Sequence, residues 1–174
     1  YLSSEIKIVV LVRNILDIIK SYLKLCIDNP NFYVNRQYNQ LDPTTIHQTE
    51  TEEKCDIIMR KSEYIDVMLY SIKWMLENSN RKYLHFVHYD DLVENPKKII
   101  DGIYNFFQIK SYQHQYTNLE QLTANHSQYN DDILGAKMHT IRTNKIVPLK
   151  HDITLPSKII AQYSDMNFRE EVYQ

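Results

Sequence analysis

At 174 residues, with 43% hydrophobic and 24% charged residues, the chain has the size and balance of one globular domain spanning 1–174. A net charge of −2 excludes wholesale electrostatic binding to nucleic acid or to a membrane surface, so any anion site must be local. Two cysteines, Cys26 and Cys55, are too few for a disulfide framework or a metal cluster and read as free buried thiols. The longest apolar run, Ile8 to Val12, is far too short to span a bilayer.

Lys7–Val12 is a run of β-branched and Leu residues, apolar on both faces as a parallel strand would be. Apolar residues then recur at Ile15, Ile18, Ile19, Tyr22, Leu23 and Cys26, which is helical spacing, with Asn14 as the cap. That helix is expected to stop before Asn29-Pro30. Residues 28–49, rich in Asn, Gln, Pro and Tyr, show no period and read as an excursion or lid. A long helix follows from about Glu50 to Glu77, with Ile57, Ile58, Ile65, Met68, Leu69, Ile72, Met75 and Leu76 on one apolar side.

A second strand–turn–helix unit then begins. Tyr83–His88 alternates weakly and reads as a strand. Asn95-Pro96 reads as a cap with proline at the first helical position, and Ile99, Ile100, Ile103, Phe106 and Phe107 mark the helix's buried side. Residues 108–132 are polar and loop-like, Thr140–Val147 is a short extended piece, and Leu155-Pro156 opens a last helix to about Tyr163. Strands followed by packed helices predict an α/β fold with a parallel sheet.

In open α/β sheets, ligands gather beyond the carboxyl ends of the strands. Arg13 follows the first strand directly, and its guanidinium is a fork of donors suited to phosphate. Ser21 lies two turns into the helix, four residues after Asp17, where its hydroxyl reaches the same anion only along the helix flank. The plainer reading pairs Arg13 with a carboxylate such as Asp17 and leaves Ser21 as a polar filler. At the second strand's carboxyl end stands Tyr89, placed to stack on or hydrogen-bond a purine, or simply half-buried under a loop. Asp90 and Asp91 would cap the following turn, or one would pair with Arg13.

Together, the two units resemble a known family. The segment "KIVVLVRNILDIIKSYL" is similar to the 3′-phosphate-binding segment of sulfotransferases, with Arg13, Asn14, Asp17 and Ser21 matching in identity and spacing and Ile15 in place of a usual proline. The segment "YLHFVHYDDLVENPKKIIDGIYNFFQI" resembles the same family's later strand–Tyr–acid–Asp–Leu–helix segment through Tyr89, Asp91, Leu92 and Pro96, with Asp90 in place of a usual Glu. The resemblance implies a three-layer parallel sheet flanked by helices, like that of P-loop nucleotide kinases. It implies 3′-phosphoadenosine 5′-phosphosulfate as co-substrate and adenosine 3′,5′-bisphosphate as product. Arg13 and Ser21 would bind the 3′-phosphate and Tyr89 would contact the adenine. Arg142, Thr143 and Lys150 are candidates on a later loop over the nucleotide, and His139 is a remote candidate for a base.

The family's Lys-containing phosphosulfate loop and its general base would precede Lys7, where this chain has no suitable stretch. The chain is therefore expected to be the later part of a longer domain, with its N-terminal strand and loop missing and its catalytic residues unassigned. The expected reaction is sulfuryl transfer to a hydroxyl or amine acceptor, whether glycan, peptide or small molecule. The alternatives are a degenerate nucleotide- or glycan-binding member and a nucleotide-kinase-like P-loop enzyme. No His/Cys/Asp cluster has ligand spacing, so no metal is expected. Acceptor and oligomeric state stay open. The cytoplasm is the first expectation for localisation, and the Golgi lumen the second if an N-terminal anchor has been lost.

Overall fold

The computed structural model describes residues 6–60, 65–78, 81–127, 129, 141, 146–166 and 168. They divide into two compact units, within Tyr1–Leu11 plus Tyr83–Leu149 and within Val12–Lys82 plus Lys150–Gln174.

The first unit holds the sheet. Strand β1 (Ile8–Val12) pairs in parallel with β2 (Leu84–His88), and among the described residues the sheet has these two strands. The expectation of burial on both faces fails for β1: Val10 and Val12 are buried, but Leu11 on the opposite face is 56% exposed. That alternation belongs to a strand covered on one side only. After β2 come the six-residue helix α5 (Tyr89–Glu94) and helix α6 (Pro96–Phe107), both packed on β2. Helix α5 was not expected from the sequence. In α6 the apolar side is half-buried and no residue is fully buried, so Ile99, Ile100, Ile103 and Phe106 cover the sheet incompletely, and Phe107 is exposed. Residues 108–127 form no helix, as anticipated. Of the extended piece expected over 140–147, residues 141, 146 and 147 are described and carry no strand; the others lie outside the described residues.

The second unit is helical and has the denser core. Helix α1 (Ile15–Asp28) packs on α3 (Glu50–Arg60) and α7 (Ser157–Tyr163). Ile15, Ile19, Leu23 and Cys26 of α1 meet Cys55, Ile57 and Ile58 of α3 and Ile159 of α7 in one buried cluster. The supposed lid over 28–49 instead contains helix α2 (Tyr33–Asn39), packed on α3. Its anchor is the buried Asn35, whose Nδ2 donates to the carbonyls of Cys26 at 2.7 Å and Asn29 at 3.0 Å. The rings of Tyr22, Phe32 and Tyr33 close over the join.

The long helix expected from Glu50 appears as α3 and α4 (Ile65–Asn78), with 61–64 outside the described residues. A reciprocal cap starts α3: Glu52 Oε2 accepts from the Thr49 N–H at 2.9 Å, and the Glu52 N–H donates to Thr49 Oγ1 at 3.3 Å. In α4 only Ile65 is fully buried, and Met68, expected on the apolar side, is exposed. Cys26 and Cys55 are free and buried as expected. Burial pushes the Cys26 thiol up to about 11 and the Cys55 thiol up to about 12, which leaves both protonated and poor nucleophiles at neutral pH.

Candidate functional site

The first candidate group is built where β1 turns into α1. Asn14 has extended backbone, φ −53° and ψ 125°, and its Oδ1 accepts from the N–H groups of Leu16 at 2.9 Å and Asp17 at 3.4 Å. This cap satisfies donors that a helix start otherwise leaves unmet, and it fixes the chain's turn immediately after Arg13. Ile15 and Ile19, buried in the core, set the rotation of α1 about its axis. Ser21 then falls seven positions after Asn14, two turns along the same flank and about 10 Å up the helix. Arg13 and Ser21 are both half-buried. A guanidinium at the helix start and a hydroxyl two turns on suit an anion lying along the flank rather than one seated over the end. Asp17, between them, is an acid in the first turn, where it complements the helix dipole.

The second group is built where β2 turns into α5. Tyr89 is the first residue of α5 and is half-buried. The cap here is the ring of His88, with a side chain 1% exposed. Its Nδ1 accepts from the Asp90 N–H at 3.4 Å, and Asp90 Oδ2 lies 3.7 Å from the same nitrogen. The ring's other nitrogen, Nε2, is buried without a hydrogen-bond partner among the described residues. Asp90 and Asp91, read as caps of the following turn or as a partner for Arg13, occupy the first turn of the helix, and the cap is His88. Asn95 precedes α6 without a side-chain cap bond, so Pro96 at the first position carries that start.

Sequence reasoning missed His88, although the order strand–His–Tyr–Asp–Asp puts a possible acceptor two residues before the first amide needing one. Of the remaining candidates, Lys150 is exposed and belongs to the same unit as Arg13 and Ser21, whereas Tyr89 belongs to the other. Arg142, Thr143 and His139 lie outside the described residues. In the helical unit a cavity of about 610 Å³ is walled by Met59 and Arg60 of α3, Leu69 of α4 and Tyr163 of α7, and it includes neither Arg13 nor Ser21. Among the described residues, no group of His, Cys, Asp and Glu could hold a metal ion, and no helix is long and apolar enough to cross a membrane.

Two strands each hand over to a capped helix, with a phosphate-type donor after one and an aromatic hydroxyl after the other. The family model of the sulfotransferase domain matches residues 1–145, and the chain belongs to that family. No curated protein is a significant match to the chain.

Proposed function

We propose that this chain is the part of a sulfotransferase that grips the nucleotide of 3′-phosphoadenosine 5′-phosphosulfate. Arg13 and Ser21 hold the 3′-phosphate, and Tyr89 contacts the adenine. Lys150, with Arg142 and Thr143, contributes to a loop over the nucleotide. The reaction served is sulfuryl transfer to a hydroxyl or amine, in which the sulfur leaves the nucleotide's bridging oxygen for the acceptor. Catalysis of that kind rests on positioning and on neutralising charge at the departing oxygen. The two units are read as parts of one domain of three-layer, P-loop-like type, because a single family match covers residues of both.

The observation that supports the reading is the Asn14-capped junction, with Arg13 immediately before the cap and Ser21 two turns into the helix that follows. Calorimetry with adenosine 3′,5′-bisphosphate and with ADP tests it. The bisphosphate should bind more tightly, and Arg13→Ala should weaken it by about tenfold or more while the circular dichroism spectrum is kept. Preference for ADP would sink the proposal, as would an Arg13→Ala chain that unfolds without a separate loss of binding.

A further inference from the structure

Helix α6 ends in a closure that sends the chain back along its own flank. Gln108 takes the left-handed conformation, φ 57° and ψ 40°, and the Ile109 N–H donates to the Tyr104 carbonyl at 3.2 Å. Residues after Ile109 return beside the helix, where the Tyr104 hydroxyl and His114 Nε2 lie 2.9 Å apart. Three further ring contacts gather around that bond. Tyr104 and His114 have centroids 5.8 Å apart, Tyr112 meets His114 edge-on at 5.1 Å, and His114 meets Tyr116 at 6.1 Å. These rings are not core. Tyr112 is 69% exposed and His114 is exposed, so the cluster is an aromatic ledge facing solvent.

A shallow cleft of about 650 Å³ lies on α6, and it includes Asp101, the neighbour of Tyr104 on the helix surface. Asp101, three residues before Tyr104, pairs with Lys97 at 2.6 Å, and Asn105 lies beside Tyr104 in the chain; all three line the cleft. The charges balance: Glu94 and Asp101 oppose Lys97 and Lys98. A cleft with no net charge selects neither a polyanion nor a cation. It offers instead an amide, carboxylate oxygens and ammonium donors, a set that hydroxyl groups can satisfy in both directions. The negative face of an exposed aromatic ring attracts the polarised C–H edge of a pyranose. An exposed ring cluster beside a few convergent polar groups is the composition of a binding site rather than of a solvated loop.

We infer that the ledge of Tyr104, Tyr112, His114 and Tyr116, with the Lys97–Asp101 cleft beside it, binds a neutral oligosaccharide. The inference goes beyond the nucleotide reading and does not depend on it.

The test is a nuclear magnetic resonance titration of the whole chain, without nucleotide, using chitotetraose, cellotetraose and maltotetraose. At least one should give saturable shifts in the ring signals of Tyr112 and His114. Tyr112→Ala removes an exposed ring, so the fold should be unchanged while the affinity falls about fivefold to tenfold. The inference is overturned if none of the three moves those signals at millimolar concentration, if the shifts map elsewhere, or if Tyr112→Ala binds as the parent does. Preference for a heparin tetrasaccharide or a peptide over every neutral sugar overturns it as well. Since no nucleotide is present, failure here leaves the nucleotide proposal standing, and failure of the nucleotide titration leaves this one.

Discussion

The two strand-to-helix junctions do similar work with different supports. At the first, Asn14 caps a fourteen-residue helix that buries Ile15, Ile19, Leu23 and Cys26 in a core shared with α3 and α7. At the second, a buried imidazole caps a helix of six residues, followed by α6, in which no residue is fully buried. Arg13 is therefore positioned by the packing of a whole unit, and Tyr89 chiefly by one ring and the short helix it starts. Packing spreads the cost of a change over many contacts, whereas a cap concentrates it in one residue.

Substitutions can break or sharpen that contrast. The largest effect is expected for Ile19→Ala, which empties a fully buried site and should cost about 2–5 kcal/mol in urea unfolding. Ile103→Ala in the half-buried α6 should cost about 1 kcal/mol, and equal losses at the two sites would erase the distinction. Next comes His88→Ala, which removes a cap and leaves a void, for a loss of about 2 kcal/mol. His88→Asn, which restores a side-chain acceptor, should recover the nucleotide binding proposed for Tyr89 better than it recovers stability. If both substitutions bind alike, the ring is packing rather than cap.

Asn14→Ala should cost about 1 kcal/mol, with Asn14→Asp close to neutral, as read from the same unfolding midpoints. The smallest effect appears only in acid. The Thr49 backbone N–H, and then its hydroxyl, hold the Glu52 carboxyl below its ordinary range. Its contribution is present above the unfolded value of 4.5 and is lost as pH falls through the lower folded value. Glu52→Gln should therefore flatten the acid limb of midpoint against pH.

The first junction was legible because two independent signals coincide there: a sharp helical period and an amide side chain at the residue before it begins. The last helix, read from Leu155-Pro156, lies at Ser157–Tyr163, directly after the proline and without a side-chain cap. Helix α2 escaped notice because its sequence, YVNRQYN, has no apolar stripe. It is held by Asn35 bridging two carbonyls at the end of α1, a tertiary bond that no local pattern announces. Helix α5 escaped because its cap is a histidine, a residue whose capping depends on which ring nitrogen carries the proton. Overestimated burial in β1, α4 and α6 has a different origin. Hydrophobicity says that a face prefers cover, not that cover is there. At the candidate site, helical geometry places Ser21 two turns after the Asn14 cap, whereas Arg13 stands before the cap and its direction is not set by helical period.

The left-handed closure at Gln108 also governs how this chain can tolerate change in length. It fixes where the returning segment starts, and the Tyr104–His114 bond fixes where it is held again. A residue inserted between these two points would carry Tyr112 and His114 out of step with Tyr104. Beyond Asn118, itself left-handed at φ 52°, added residues would lengthen a loop without moving the rings. Homologues are thus expected to keep a constant spacing from 104 to 114 and to vary in length only afterwards.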